Sequence, residues 1–201
     1  MAIRQPLAPD LEPALRWDAT QRRLLDAAEE LIRTRGVHGL TIAELARTAG
    51  LSRPTVYRSW SGADEVVRAT LLRRVLVLLA AGDQAAATRA DIVAEVMRFA
   101  AALGADPLFA ALLEREPEVF TRYMLQRFGT SQRVILSHLS SAIAVAQAGG
   151  SVRQGASDEI AVMLLLIAQS AILSHGTVSD LLDRAAWTRE LAAALDGHLR
   201  P

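Results

Sequence analysis

Apolar residues in this chain recur at spacings of three and four, and no stretch shows the strict alternation that a half-buried strand needs. Glycine and proline fall at intervals suited to helix ends. The fold expected is therefore all-α, and no fixed-period repeat points to a solenoid. Of the 201 residues, 51% are apolar, which is ample for a core. There is no cysteine, so disulfides, thiolate metal sites and sulfur nucleophiles are excluded, which fits a reducing, cytoplasmic setting.

The stretch from Asp18 to Trp60 carries the sharpest punctuation. Asp18 and Gln21 have capping-box spacing, so a helix is expected to start there. Leu24, Leu25, Ala28, Leu31 and Ile32 make its apolar stripe, Arg33 and Arg35 suit its negative end, and Gly36 closes it. Thr41 and Glu44 repeat the box before a short helix whose inner face is Ile42, Leu45, Ala46 and Ala49. Gly50 ends that helix. A third is expected from near Ser52, with Pro54 in its first turn, where no N–H is needed.

Glycine at position 50 can take the left-handed backbone that lets two short helices cross steeply, with Leu51 filling the corner. At about 100° per residue, Val56 and Trp60 point together toward the first two helices. Pro54, Thr55 and Arg58 then point away, flanked by Arg53 and Tyr57. Such a helix fits a DNA major groove, which is about 12 Å wide. Arginine bonds guanine edges or phosphate, serine and threonine bond either, and a tyrosine hydroxyl reaches phosphate. Tyr57 reads as a phosphate contact or as packing. Thr41 stands at a helix N-terminus, where free N–H groups attract phosphate.

Residues 18–72 resemble the DNA-binding region of the TetR/AcrR family of bacterial transcriptional regulators, on the stretches GVHGLTIAELARTAGLSRPTVYRSW and SGADEVVRATL. They are similar in the capped second helix, the Gly-hydrophobe-Ser turn, the short recognition helix with its Thr-x-Tyr core, the aromatic and the linker helix. The resemblance implies phosphate contacts from Thr41 and Tyr57, and base or backbone contacts from Ser52, Arg53, Thr55 and Arg58, with Pro54 on the same face. Where the family commonly opens the fourth helix with lysine, this chain has Ala63, and Asp64 and Glu65 add repulsion toward phosphate. All 22 basic residues are arginine and net charge is zero. Residues 1–62 hold nine arginines against seven acidic residues, a weak tilt and not a basic footprint.

The prolines and mixed charges of residues 1–17 read as a flexible arm, and the family plan implies a helix-turn-helix domain at 18–62 and a ligand-binding and dimerisation domain at 63–201. A homodimer would grip a palindromic operator in double-stranded DNA, and a small hydrophobic or amphipathic effector would release it. Further helices are expected from Asp64 to Ala80, up to Leu103, and over Pro107 to Arg115, Glu118 to Phe128, Ser131 to Ala148, Ser157 to Ser174 and Asp180 to Leu199. Effector contacts are expected from Phe99, Leu103, Phe109, Leu113, Phe120, Met124, Phe128 and Met163, with Tyr123 and Gln169 as orienting polar groups. Each also suits ordinary core.

The run Ile160 to Ile167 is apolar all round yet falls short of the roughly 20 residues a bilayer crossing needs, so no membrane role is expected. Ala161, Ala168 and Ala171 permit close helix approach, and the last helix offers Trp187, Leu191, Ala194, Leu195 and His198. These form a dimer interface of four helices, or are buried within one chain. No catalytic constellation, cofactor or metal site is expected: His38, His138, His175 and His198 are scattered toward surface or helix-end roles. Glu114, Glu116 and Glu118 around Pro117 read as a magnesium site or, preferably, a solvated turn. The rival reading is an all-α small-molecule-binding protein or enzyme without DNA-binding activity.

Overall fold

The computed structural model describes residues 16–82, 86–123 and 128–201, and every regular element among them is helical. The order is α1 (Ala19–Arg35), α2 (Ile42–Ala49), α3 (Arg53–Tyr57), α4 (Ala63–Ala80), α5 (Arg89–Ala105), α6 (Pro107–Arg115), α7 (Pro117–Thr121), α8 (Thr130–Ala148), α9 (Ser157–Ser174) and α10 (Arg184–Leu199), with a 3-10 turn at His175–Val178. The arm expected at 1–17 lies outside the described residues except for Arg16 and Trp17, and Met124 lies outside them as well. The described residues form two compact units, 16–77 with 105–123, and 78–104 with 128–201.

In the unit that begins at α1, the helical stripes read from the sequence meet as a core. Leu24, Leu25, Ala28 and Leu31 of α1 pack with Ile42, Leu45, Ala46 and Ala49 of α2, and with Val56, Trp60 and Val66. Asp18 and Gln21 form the expected capping box, with bonds of 2.8 and 2.9 Å. α6 packs on α1. Its N-cap, the buried Asp106, accepts the N–H groups of Leu108 (3.0 Å) and Phe109 (3.3 Å), and its other oxygen pairs with Arg74 of α4. Arg73, one position earlier, reaches Asp26 (2.6 Å) and Glu29 (2.8 Å) on α1, so consecutive arginines tie α4 to two helices.

In the other unit, α8 and α9 pack along each other and α10 packs against α9. Ile143, Ala161, Leu164, Leu195 and Leu199 have no exposed surface. Of the residues offered by the last helix to a dimer or to the chain's own core, Leu191 and Leu195 are core, Trp187 packs partly against it, Ala194 is exposed, and the His198 ring nitrogen lies 3.2 Å from the Ile160 carbonyl. Ala161 and Ala168 are buried in the same core, and Ala171 packs partly against it. Periodicity shows that a helix face is apolar, not which neighbour covers it.

Other bounds shift for local reasons. α10 starts at Arg184, not Asp180, because Asp183 caps it by accepting the Ala186 N–H at 2.8 Å. Of the helix expected from Glu118 to Phe128, Pro117–Thr121 is α-helical and residues 122–123 continue it as a π turn, 124–127 lie outside the described residues, and Phe128 lies outside any helix, 44% exposed. With its following turn, Ser157–Val178 spans 22 residues, long and apolar enough by composition to cross a bilayer, more than the sequence count allowed. Ile160, Leu164, Leu165 and the polar Gln169 are nonetheless buried within the unit, as in the core helix of a folded domain.

Asp106→Ala removes a cap and leaves Arg74 without its partner. The expected loss of unfolding free energy is about 2–4 kcal/mol, read by urea denaturation. An Asp106→Asn variant, which retains one cap acceptor, should lose less.

Candidate nucleic-acid interface

α3 has five residues, so its placement comes from its neighbours. Gly50 ends α2 in the left-handed conformation (φ 63°, ψ 38°), and its N–H returns to the Arg47 carbonyl at 3.2 Å. A second requirement was invisible in the sequence: the Arg23 guanidinium of α1 donates to the Ala49 carbonyl at 2.9 Å, and a Cβ at position 50 would lie 3.2 Å from that guanidinium. Leu51 packs partly into the corner. Ser52 caps α3, accepting the Thr55 N–H at 3.2 Å, and the two hydroxyls share a hydrogen bond of 2.7 Å.

Val56 is 1% exposed and Trp60 7%, both turned into the core of α1 and α2. Ser52, Arg53, Pro54, Tyr57 and Arg58 are exposed, Tyr57 at 58%, so most of its surface is open to a partner. Thr55, expected to point away, is half-buried, because its hydroxyl turns back to Ser52. Thr41 is exposed at the start of α2 and accepts the Glu44 N–H at 3.2 Å. The return half of that capping box is replaced: the Glu44 carboxylate takes Arg35 at 2.5 Å, leaving Arg47 with a 4.0 Å contact and a largely exposed side chain.

Trp60 passes directly into the linker helix. One oxygen of Glu65 accepts both the Ser61 N–H (2.7 Å) and its hydroxyl (2.8 Å). These two bonds, helped by the charge of Arg68, hold the Glu65 carboxyl below its ordinary range. Expected from the sequence only as repulsion toward phosphate, Glu65 braces the junction between the reading helix and α4.

The residues expected to meet an effector are dispersed. Phe109 and Phe120 are buried and meet edge to face, ring centroids 6.1 Å apart. In the other unit, Leu103 and Gln169 are buried and Phe99 is half-buried. Leu113 (46% exposed) and Met163 (48%) sit on the outer sides of their helices, and Tyr123 is half-buried beyond α7. The solvated reading of the glutamates holds for two of the three and is corrected at Glu116. Glu114 and Glu118 are exposed, but Glu116 is buried and its carboxylate accepts backbone N–H groups of Val37 and His38. Among the described residues no group of three His, Cys, Asp or Glu could hold a metal ion. His138, expected at a surface or helix end, lies within α8 with its Nε2 buried and no hydrogen-bond partner among the described residues.

Two short helices crossing at a left-handed glycine, anchored by Val56 and Trp60 and presenting arginine and tyrosine outward, define a helix-turn-helix DNA-binding module. The chain belongs to the TetR family of bacterial transcriptional regulators. Residues 24–70 match the pattern of bacterial regulatory proteins, tetR family. An HTH-type transcriptional regulator of Mycobacterium bovis is 38% identical over 180 residues, covering 90% of this chain and 94% of that one. The fold is shared with SmeT, repressor of the Stenotrophomonas maltophilia multidrug efflux pump SmeDEF (TM-score 0.61, 24% identity, 90% of this chain and 89% of SmeT). It is shared as well with RolR in complex with the ligand resorcinol (TM-score 0.68, 16% identity, 90% of this chain and 87% of RolR). The protein is thus a transcriptional regulator and not an enzyme.

A carboxyl lowered in the folded state contributes stability that is present above its unfolded pKa and lost as pH falls through the folded value. Glu65→Gln should therefore lower the thermal midpoint at pH 7. The gap from wild type should close on acidification through and below the ordinary carboxylate range. Melting curves of both proteins from pH 7 to pH 3 check this.

Proposed function

We propose that the protein is a cytoplasmic homodimer that represses transcription from a palindromic operator and leaves it when a small hydrophobic or amphipathic effector binds. The observation that carries this reading is the outward face of α3, polar and free, on a helix fixed from behind by Val56 and Trp60. Thr41 and Tyr57 take phosphates. Ser52, Arg53, Thr55 and Arg58 take base edges or the adjoining backbone, with Pro54 stiffening the first turn between them. Reading is assigned to residues 18–62, effector binding and dimerisation to 63–201, and an arm to 1–17. The resorcinol complex of RolR and the repressor SmeT support a ligand-responsive repressor on this fold.

Dimerisation supplies the second half-site. Two α3 helices related by a twofold axis read sites about 34–36 Å apart, or a multiple of that. An effector that binds one spacing of the two modules better than another shifts DNA affinity by its differential affinity and no more.

Selection from random duplex DNA should enrich an inverted repeat, with affinity that falls as salt rises because phosphate contacts release counterions. An unsymmetrical site, or binding insensitive to salt, would refute this reading. On the enriched duplex, Arg58→Ala should weaken binding by about 1–3 kcal/mol, and Tyr57→Phe should weaken it too. Both variants should keep the wild-type melting temperature, since neither side chain is buried.

A further inference from the structure

Residues 105–123 lie well beyond the helix-turn-helix in sequence, yet they pack in the unit that contains it. At the break between α6 and α7, two consecutive side chains grip the turn between α1 and α2. Arg115 donates from Nη1 to the carbonyls of Thr34 (2.6 Å) and Arg33 (3.3 Å), in the last turn of α1. Glu116, 6% exposed, accepts the Val37 N–H with both oxygens (2.9 and 3.0 Å) and the His38 N–H with Oε1 (2.9 Å). A cation thus meets the carbonyl end of the helix, and a carboxylate meets the amides that follow.

The turn needs such support. It contains two glycines at positive φ, Gly36 (83°) and Gly39 (76°), each with more backbone freedom than any other residue. Gly36 sits directly under the carboxylate: a Cβ there would lie 2.3 Å from Glu116 Oε1. The Leu40 N–H then closes on the Val37 carbonyl at 3.2 Å, and Thr41, the N-cap of α2, follows at once. Without Glu116, the Val37 and His38 amides would lose their acceptor in a partly buried place.

We infer that Arg115 and Glu116 are positioning residues for DNA binding. They fix the turn after α1, and with it the direction in which Thr41 and α2 set out, without touching DNA themselves. The inference rests on the DNA-binding reading above. It adds a determinant outside the helix-turn-helix, in a segment where the sequence pattern showed only a proline-broken acidic turn.

The test uses the full chain, the duplex enriched by selection, and a scrambled duplex of equal length. Glu116→Ala should speed hydrogen exchange at the Val37 and His38 amides at least tenfold while the α1 core amides stay protected. It should weaken binding to the enriched duplex at least tenfold and to the scrambled duplex by less than twofold. Glu116→Gln, which keeps Oε1 as an acceptor for both amides, should restore specific binding to within about threefold of wild type. A folded Glu116→Ala protein with wild-type exchange at those amides, or with wild-type affinity for the enriched duplex, overturns the inference. Should Glu116→Ala not fold, Arg115→Ala decides, since that side chain is exposed. A threefold or greater loss of specific binding at an unchanged melting temperature supports the inference, and wild-type binding overturns it. Wild-type protein that binds no duplex removes the proposed function as well, whereas normal wild-type binding with indifferent variants removes this inference alone.

Discussion

Burial of Val56 and Trp60 is the interaction on which the rest depends. A five-residue helix has too few internal hydrogen bonds to persist alone, and isolated helices shorter than about 12–15 residues are marginal in water. α3 persists because Val56 within it and Trp60 just after it are sunk into the core they share with α1 and α2. That anchoring also decides what faces outward, since a helix that buries Val56 must present Pro54, Tyr57 and Arg58 elsewhere. Folding and recognition are thus two sides of one short element.

A second theme follows from the exclusive use of arginine. Among the described residues, guanidinium groups donate to backbone carbonyls in the last turns of helices: Arg23 to Ala49 of α2, Arg98 to Leu78 of α4, Arg115 to Thr34 of α1, and Arg153 to His198 of α10. Helix C-termini leave carbonyls without intrahelical donors and carry partial negative charge, so a cation delivered from another segment satisfies both. The planar fork, with several N–H groups in fixed directions, lets one side chain hold a carbonyl and a carboxylate together. Arg98 does this with Leu78 and Glu95.

Much of the reading module was legible in the sequence because its signals are local. Asp18 with Gln21, the glycine at 50, and the inward spacing of Val56 and Trp60 act within a few residues of one another. What escaped was set by distant partners. Glu44 had the spacing to complete a capping box with Thr41, but Arg35 offered an opposite charge at 2.5 Å. Glu116 looked solvated beside Pro117 because its partners, two backbone amides, leave no mark on composition. Leu191 and Leu195 looked available to another subunit because an apolar stripe is the same whichever surface covers it. The helix read from Glu118 begins one residue early, at Pro117, whose fixed φ suits a first turn, and Phe128 at its far end lies outside any helix.

The contact between position 36 and the carboxylate of residue 116 has a consequence for how chains of this fold can diverge. The two groups compete for one small volume, so a side chain at the first position would push the carboxylate off the amides it holds. A change at the first position is therefore felt about 80 residues further along the chain. Loss of the acid alone would not free the first position, because its backbone at φ 83° still favours glycine.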